Sequence, residues 1–135
     1  MGAIYLDKGL NIAEKIILKL WGSHIEKSVV TQIDAKTKLQ ELALKKFKNN
    51  NLLIQSLTHK SFNPNENNEK IEFLGDRVLG LVIAQKLLKI YPNEKEGILD
   101  KKFASLVNKK TCLEVARAIE LEKYIKTFNP KNKII

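Results

Sequence analysis

A single cysteine, Cys112, stands among 135 residues, so no disulfide can form within the chain, and a reducing cytoplasm is the expected setting. Cys112 falls in an amphipathic segment and is read as a core residue before a nucleophile. Histidine is nearly as scarce: His24 and His59 have no Cys or His partner at zinc-ligand spacing, which argues against a structural zinc site. No apolar run approaches the length of a membrane span, and residues 1–10 lack the basic start and long apolar core of a signal peptide. No membrane partner is therefore expected. Alternating strand patterns and internal repeats are also missing, which leaves an all-α architecture. Acidic residues are in short supply, Asp+Glu 15 against Lys+Arg 24, for a net charge of +9. Such an excess suits a polyanion: nucleic acid first, an acidic membrane surface second. A Lys-rich host proteome would leave the same imbalance.

What is present reads as one domain with enough apolar content, 44%, for a real core. Residues 1–8 are apolar as far as Leu6 and are interrupted by Asp7-Lys8-Gly9. Asn11 is placed to cap a helix on which Ile12, Ile16, Ile17, Leu20 and Trp21 recur at helical spacing. Residues 28–33 are too short to assign, and Asp34 opens a second helix running to Leu44. Asn49 to Asn51 read as a turn. Asn63 to Asn68 contain no apolar residue and hold an Asn-Pro step, so they form a loop. A long helix spans roughly 68–91, ended by Tyr91-Pro92-Asn93. Beyond Glu96-Gly97 come Ile98, Phe103, Leu106 and Val107 on one side, with Lys101, Lys102, Lys109 and Lys110 on the other. Thr111 to Ala118 continue as helix, Glu120 to Ile125 form a short further one, and Thr127 to Ile135 are loop.

Chemistry concentrates at the start of the long helix. Glu69, Glu72 and Asp76 fall at i, i+3 and i+7, which sets three carboxylates on one face. Leu81 to Ile90 are apolar almost all round, the pattern of a buried central helix. Carboxylates at the root of a buried helix are costly unless a cation offsets them, and a divalent metal does so when oxygen ligands converge. Acids that merely suit the positive end of the helix dipole would give the same spacing, and both readings stand.

Residues 69 to 77, Glu-Lys-Ile-Glu-Phe-Leu-Gly-Asp-Arg, resemble the signature of the ribonuclease III family of double-stranded RNA endonucleases, with Ile71 where the family more often has Leu or Met. Leu57-Thr58-His59-Lys60-Ser61-Phe62 is similar to the helix that precedes that signature. Gly2-Ala3-Ile4-Tyr5-Leu6-Asp7 is similar to a stretch well downstream of it. The resemblance implies an all-α endonuclease-domain fold that cuts double-stranded RNA with Mg²⁺, or Mn²⁺ in its place. It implies that Glu72 and Asp76 are catalytic metal ligands, with Glu69 and Glu96 as supporting acids. It also implies a homodimer in which Phe73 inserts into the partner subunit. RNA duplexes are read by shape through phosphate and 2′-OH contacts, which basic helix faces provide. Lys101, Lys102, Lys109 and Lys110 are the candidate contacts, with Ser61 and Thr58 weaker ones. A solvated charged face is the plainer explanation of the lysines, and core packing explains Phe73 as well as an interface does.

The order of the matching segments departs from the family. Residues 1–33 match the C-terminal part of the family domain, 34–46 the first helix of a double-stranded-RNA-binding domain, and 47–135 the domain's N-terminal part. This is the order of a circular permutation, with the join near Ala43 to Phe47. The family's second Asp and Glu ligands directly precede the Gly-Ala-Ile-Tyr-Leu-Asp stretch and have no counterpart among these residues. The expectation is a ribonuclease III-like fold with an impaired metal centre. The alternative is a non-catalytic double-stranded-RNA-binding or scaffolding module.

Overall fold

A computed structural model describes residues 1–26 and 47–128. The helix expected from Asp34, the unassigned residues 28–33, and the tail beyond Phe128 lie outside the described residues. The described part is helical, with no strand beyond one isolated bridge between Thr58 and Lys126.

The chain opens with α1, Gly2–Lys8, which extends through the expected interruption and breaks only at Gly9. Gly9 has φ +80, a conformation costly for residues with a Cβ, and its N–H donates to the Tyr5 carbonyl at 2.8 Å. Helix α2, Leu10–Glu26, resumes at once. Asn11 therefore lies inside the first turn, and the Gly9 carbonyl accepts the first backbone bond, from Ala13. The buried side chains of α2 are Ala13, Ile16, Ile17, Leu20, Trp21 and Ile25, one stripe at helical period. Trp21 Nε1 donates to the Leu106 carbonyl at 2.9 Å, so the largest aromatic in this stripe buries no unpaired donor.

Helix α3, Asn50–Ser56, begins where a turn was expected. Asn49 supplies the cap, its side chain accepting from Leu52 N–H at 3.1 Å. The long helix α4 runs Glu69–Ile90 and carries Ile71, Gly75, Val78, Leu79, Val82, Ile83 and Leu87 into the core. Ile17 of α2 and Val82 and Ile83 of α4 are the largest fully enclosed side chains, each stabilising the fold by about 1.5–3 kcal/mol through burial. Burial is not complete all round: Leu81 is 48% exposed and Leu88 59%, on the face away from α1 and α2. Within this chain α4 is central but open along one stripe.

Helices α5, Glu96–Val107, and α6, Lys109–Ala118, meet at Asn108, which serves both. Its Nδ2 donates to the Ala104 and Ser105 carbonyls, and its Oδ1 accepts from Thr111 N–H at 2.9 Å. One carboxamide thus satisfies the end of one helix and the start of the next. A short 3₁₀ helix, Leu121–Lys123, follows Glu120, whose backbone takes the left-handed conformation. It is shorter than the helix expected from Glu120 to Ile125. Lys126 then closes the chain onto its middle: its N–H donates to Leu57 and its carbonyl accepts from His59. α1, α2 and α5 pack on α4, and α6 packs on α5. No helix of the described residues is long and apolar enough to cross a membrane.

Candidate active site at the start of the central helix

The first two turns of α4 stand on a crossing with α1. Gly2 lies so close that a Cβ placed on it would sit 2.1 Å from the Ile71 carbonyl oxygen, and a Cβ on Gly75 would sit 3.0 Å from Gly2 nitrogen. Glycine at both positions lets the two backbones meet, with Ile71 and Gly75 turned inward and the carboxylates turned out. Glu69, Glu72 and Asp76 are all exposed, on the face their spacing requires.

Their environments differ. Glu69 is engaged by Lys60, whose Nζ donates to Glu69 Oε1 at 2.8 Å. That hydrogen bond, then the charges of Glu69 and Glu72, raise the Lys60 ammonium above its usual range. Asp76 has Arg77 Nη1 at 4.0 Å, on the rim of an ion pair. Burial, then the negative charge of Asp76, push the half-buried Cys112 thiol up. Glu96 opens α5, beyond the far end of α4; from Asp76 to Ile90 that helix alone spans roughly 20 Å. Glu72 and Asp76 are thus brought together, Glu69 is tied to Lys60, and Glu96 lies elsewhere. Among the described residues no three His, Cys, Asp or Glu side chains gather closely enough to hold a metal ion. Glu72 and Asp76, one turn apart and open to solvent, fit a metal as one edge of its coordination, because Mg²⁺ is commonly held by one or two carboxylates with waters and phosphate oxygens.

The basic candidates divide at the Asn108 bend. Lys101 is exposed on α5, while Lys102 lies 4.1 Å over the Tyr91 ring and is half-buried there. Lys109 and Lys110 are exposed in the first turn of α6. Ser61 is exposed but internally engaged: its hydroxyl meets His59 Nδ1 at 2.8 Å and Thr127 Oγ1 at 3.2 Å, and accepts from Phe128 N–H. Thr58 is a correction. It is buried and its hydroxyl donates to the Ile54 carbonyl at 2.7 Å, so its one proton is spent within the chain and none is left for a phosphate. Phe73 is 62% exposed, with the Arg77 guanidinium 4.1 Å above its ring, so it is not a core residue of this chain.

Asp7 ends the Gly-Ala-Ile-Tyr-Leu-Asp stretch, and its task is visible only in three dimensions. Its carboxylate accepts from the backbone N–H groups of Lys48 at 3.0 Å and Asn49 at 2.9 Å, tying the end of α1 to the start of α3. Burial pushes its carboxyl up, but those bonds and the neighbouring Lys8 ammonium outweigh it and hold Asp7 below the usual carboxylate range. No sequence spacing could have shown this, since the partners are backbone groups some forty positions away.

The family model described as Ribonuclease-III-like matches residues 49–134. Ribonuclease 3 of Pelagibacter ubique (strain HTCC1062) is 68% identical over 98 residues, which is 73% of this chain and 44% of that protein. Ribonuclease 3 of Aliarcobacter butzleri (strain RM4018) is 44% identical over 99 residues, again 44% of its length. The chain thus spans less than half the length of these relatives. Among solved structures, the nuclease domain of ribonuclease III from Campylobacter jejuni matches with a TM-score of 0.63 and 43% identity, covering 67% of this chain and 64% of that one. It was described for flexibility in a region involved in dimer formation. With more than half its residues matched by the family model and the signature helix in place, the chain belongs to the Ribonuclease-III-like family.

Proposed function

We propose that this chain acts as the nuclease domain of a double-stranded RNA endoribonuclease that hydrolyses phosphodiester bonds with a divalent metal, Mg²⁺ in the first place and Mn²⁺ as a substitute. The observation that carries this reading is the exposed pair Glu72 and Asp76, held one turn apart on a helix rooted in the core. Bound there, a metal supplies an activated water and relief of phosphate charge. Glu72 and Asp76 would hold it, with Glu69 as a supporting acid whose side chain the Lys60 bridge fixes; Glu96, at the start of α5 beyond the far end of α4, is too distant to join them. Lys101, Lys102, Lys109 and Lys110 are the proposed phosphate contacts, with Ser61 a further candidate, as the net charge of +9 favours. A cytoplasmic setting follows from the same reading.

The segment order is part of the proposal. Residues 1–33 correspond to the C-terminal part of the family domain, 34–46 to the first helix of a binding domain, and 47–135 to the N-terminal part, together one permuted domain. The fit of α1 against α4 at Gly2 and Gly75 supports it, because the two segments belong to one core. A homodimer is proposed through Phe73, whose exposed ring is an anchor awaiting a pocket.

One observation favours a second reading, a duplex-binding module without catalysis: no third metal-ligating side chain joins Glu72 and Asp76 among the described residues. Cleavage of a long RNA duplex with Mg²⁺, beside Asp76→Asn, separates the two. Cutting that vanishes in the variant supports the nuclease. Binding released by salt, without cutting, supports the module.

A further inference from the structure

α3 and the loop after it enclose a cleft that the signature chemistry does not use. It holds about 390 Å³, and its lining includes Asn51, Ile54, Gln55, Phe62, Asn63, Glu66 and Lys126. Asn51, Ile54 and Gln55 come from one face of α3, at i, i+3 and i+4. Lys126 is fixed there by its two backbone bonds to Leu57 and His59. Asn63 is committed to the wall, its Oδ1 accepting from Asn65 and Glu66 N–H. The side chains of Asn51, Gln55, Glu66 and Lys126 make no hydrogen bond or ion pair among the described residues. Phe62, 55% exposed, offers an open ring beside them.

We propose that this cleft takes one unpaired nucleotide of an RNA, a reading that rests on the RNA-directed function above. A duplex is recognised across its minor groove and cannot enter a cleft of this size. An unpaired base can: it stacks on an aromatic face and is hydrogen-bonded along its edge. Phe62 supplies the face, and the carboxamides of Asn51 and Gln55 supply both donors and acceptors for the edge. Glu66 accepts from an exocyclic amine or a ribose hydroxyl, and the Lys126 ammonium meets the phosphate. One carboxylate beside one ammonium disfavours a bare polyphosphate and suits a base with a single phosphate at the lip. At about 390 Å³ the volume lies toward the small end of ligand pockets, as one nucleotide requires.

The test is binding, in EDTA so that nothing is cut, of a blunt RNA duplex and of the same duplex carrying a short single-stranded extension. The extension is expected to tighten binding by about 10-fold. Phe62→Ala and Gln55→Ala are each expected to abolish that gain while the blunt duplex binds as before, and circular dichroism checks that both variants fold. Equal affinity for the two RNAs, or a gain that survives both variants, overturns the inference and leaves duplex binding standing. No binding of either RNA overturns the RNA-directed reading itself.

Discussion

Gly2 and Gly75 meet backbone against backbone, and the carboxylates of the signature are aimed from this crossing. A methyl on Gly2 would fall 2.1 Å from the Ile71 carbonyl oxygen, which is backbone and cannot swing aside. Gly2→Ala is therefore expected to destabilise the fold by about 3 kcal/mol, the upper range for overpacking. Gly75→Ala, whose Cβ would meet Gly2 nitrogen at 3.0 Å, should cost less. Urea titrations of both variants check the order. Equal and small losses would mean that α1 does not sit where the structure has it.

Trp21 joins α2 to the end of α5 through one bond, Nε1 to the Leu106 carbonyl. Trp21→Phe keeps much of the apolar bulk but strands a buried acceptor, at a cost of about 1–3 kcal/mol. A thermal melt followed by circular dichroism is the suitable readout, because Trp21 is the only tryptophan and the variant loses its fluorescence.

Asp7 gives the stability a pH signature. Its carboxyl is held below the ordinary range in the folded chain, so it binds its proton less readily folded than unfolded. Its contribution is complete above the unfolded value, near 3.9, and is lost as pH falls through the lower folded value. Asp7→Asn removes that dependence. Denaturation midpoints of the two proteins should differ most at neutral pH and converge in acid; a constant offset down to low pH would refute the account.

Much of this was legible in sequence because it follows period and chemistry. The stripe on α2, the extent of α4 and the outward turn of Glu69, Glu72 and Asp76 all follow from helical spacing. What was hidden depends on partners far along the chain. Asn49 reads as a turn residue, and it caps α3 instead because Asp7 holds its backbone in place. Thr58 looks available until Ile54 takes its hydroxyl. Leu81 and Leu88 belong to an apolar run that reads as fully buried, and only the packing of α1, α2 and α5 shows which side of α4 stays open. The nucleotide cleft needed Lys126 brought back beside Leu57, which no local pattern announces.

The acids at the start of α4 should not be equivalent. Glu72 is open to a metal, while Glu69 is already bridged by Lys60. Loss of even an outer partner of a metal ligand lowers activity by 10–100-fold, so Glu72→Gln should lower duplex cleavage by at least about 100-fold. Glu69→Gln should lower it by about 10-fold or less. Cleavage rates over a Mg²⁺ titration distinguish them: only Glu72→Gln should demand more metal. Equal losses would place Glu69 among the ligands and make the Lys60 bridge incidental.

The proposed dimer gives Phe73 a testable task. A ring 62% exposed beneath an Arg77 guanidinium is a poor use of an aromatic on a free surface and a good anchor for a partner's pocket. The exposed Leu81 and Leu88 continue the apolar stripe along the same side of α4. Truncating a central aromatic anchor costs about 2 kcal/mol or more, so Phe73→Ala should weaken dimerisation by roughly 30-fold. Sedimentation velocity over a concentration series gives the dissociation constant directly. Because the side chain lies outside the core, the monomer should keep its thermal stability when extrapolated to low concentration. A variant that dimerises as tightly as the parent would move the interface off α4, whereas one that loses monomer stability would make Phe73 a packing residue after all.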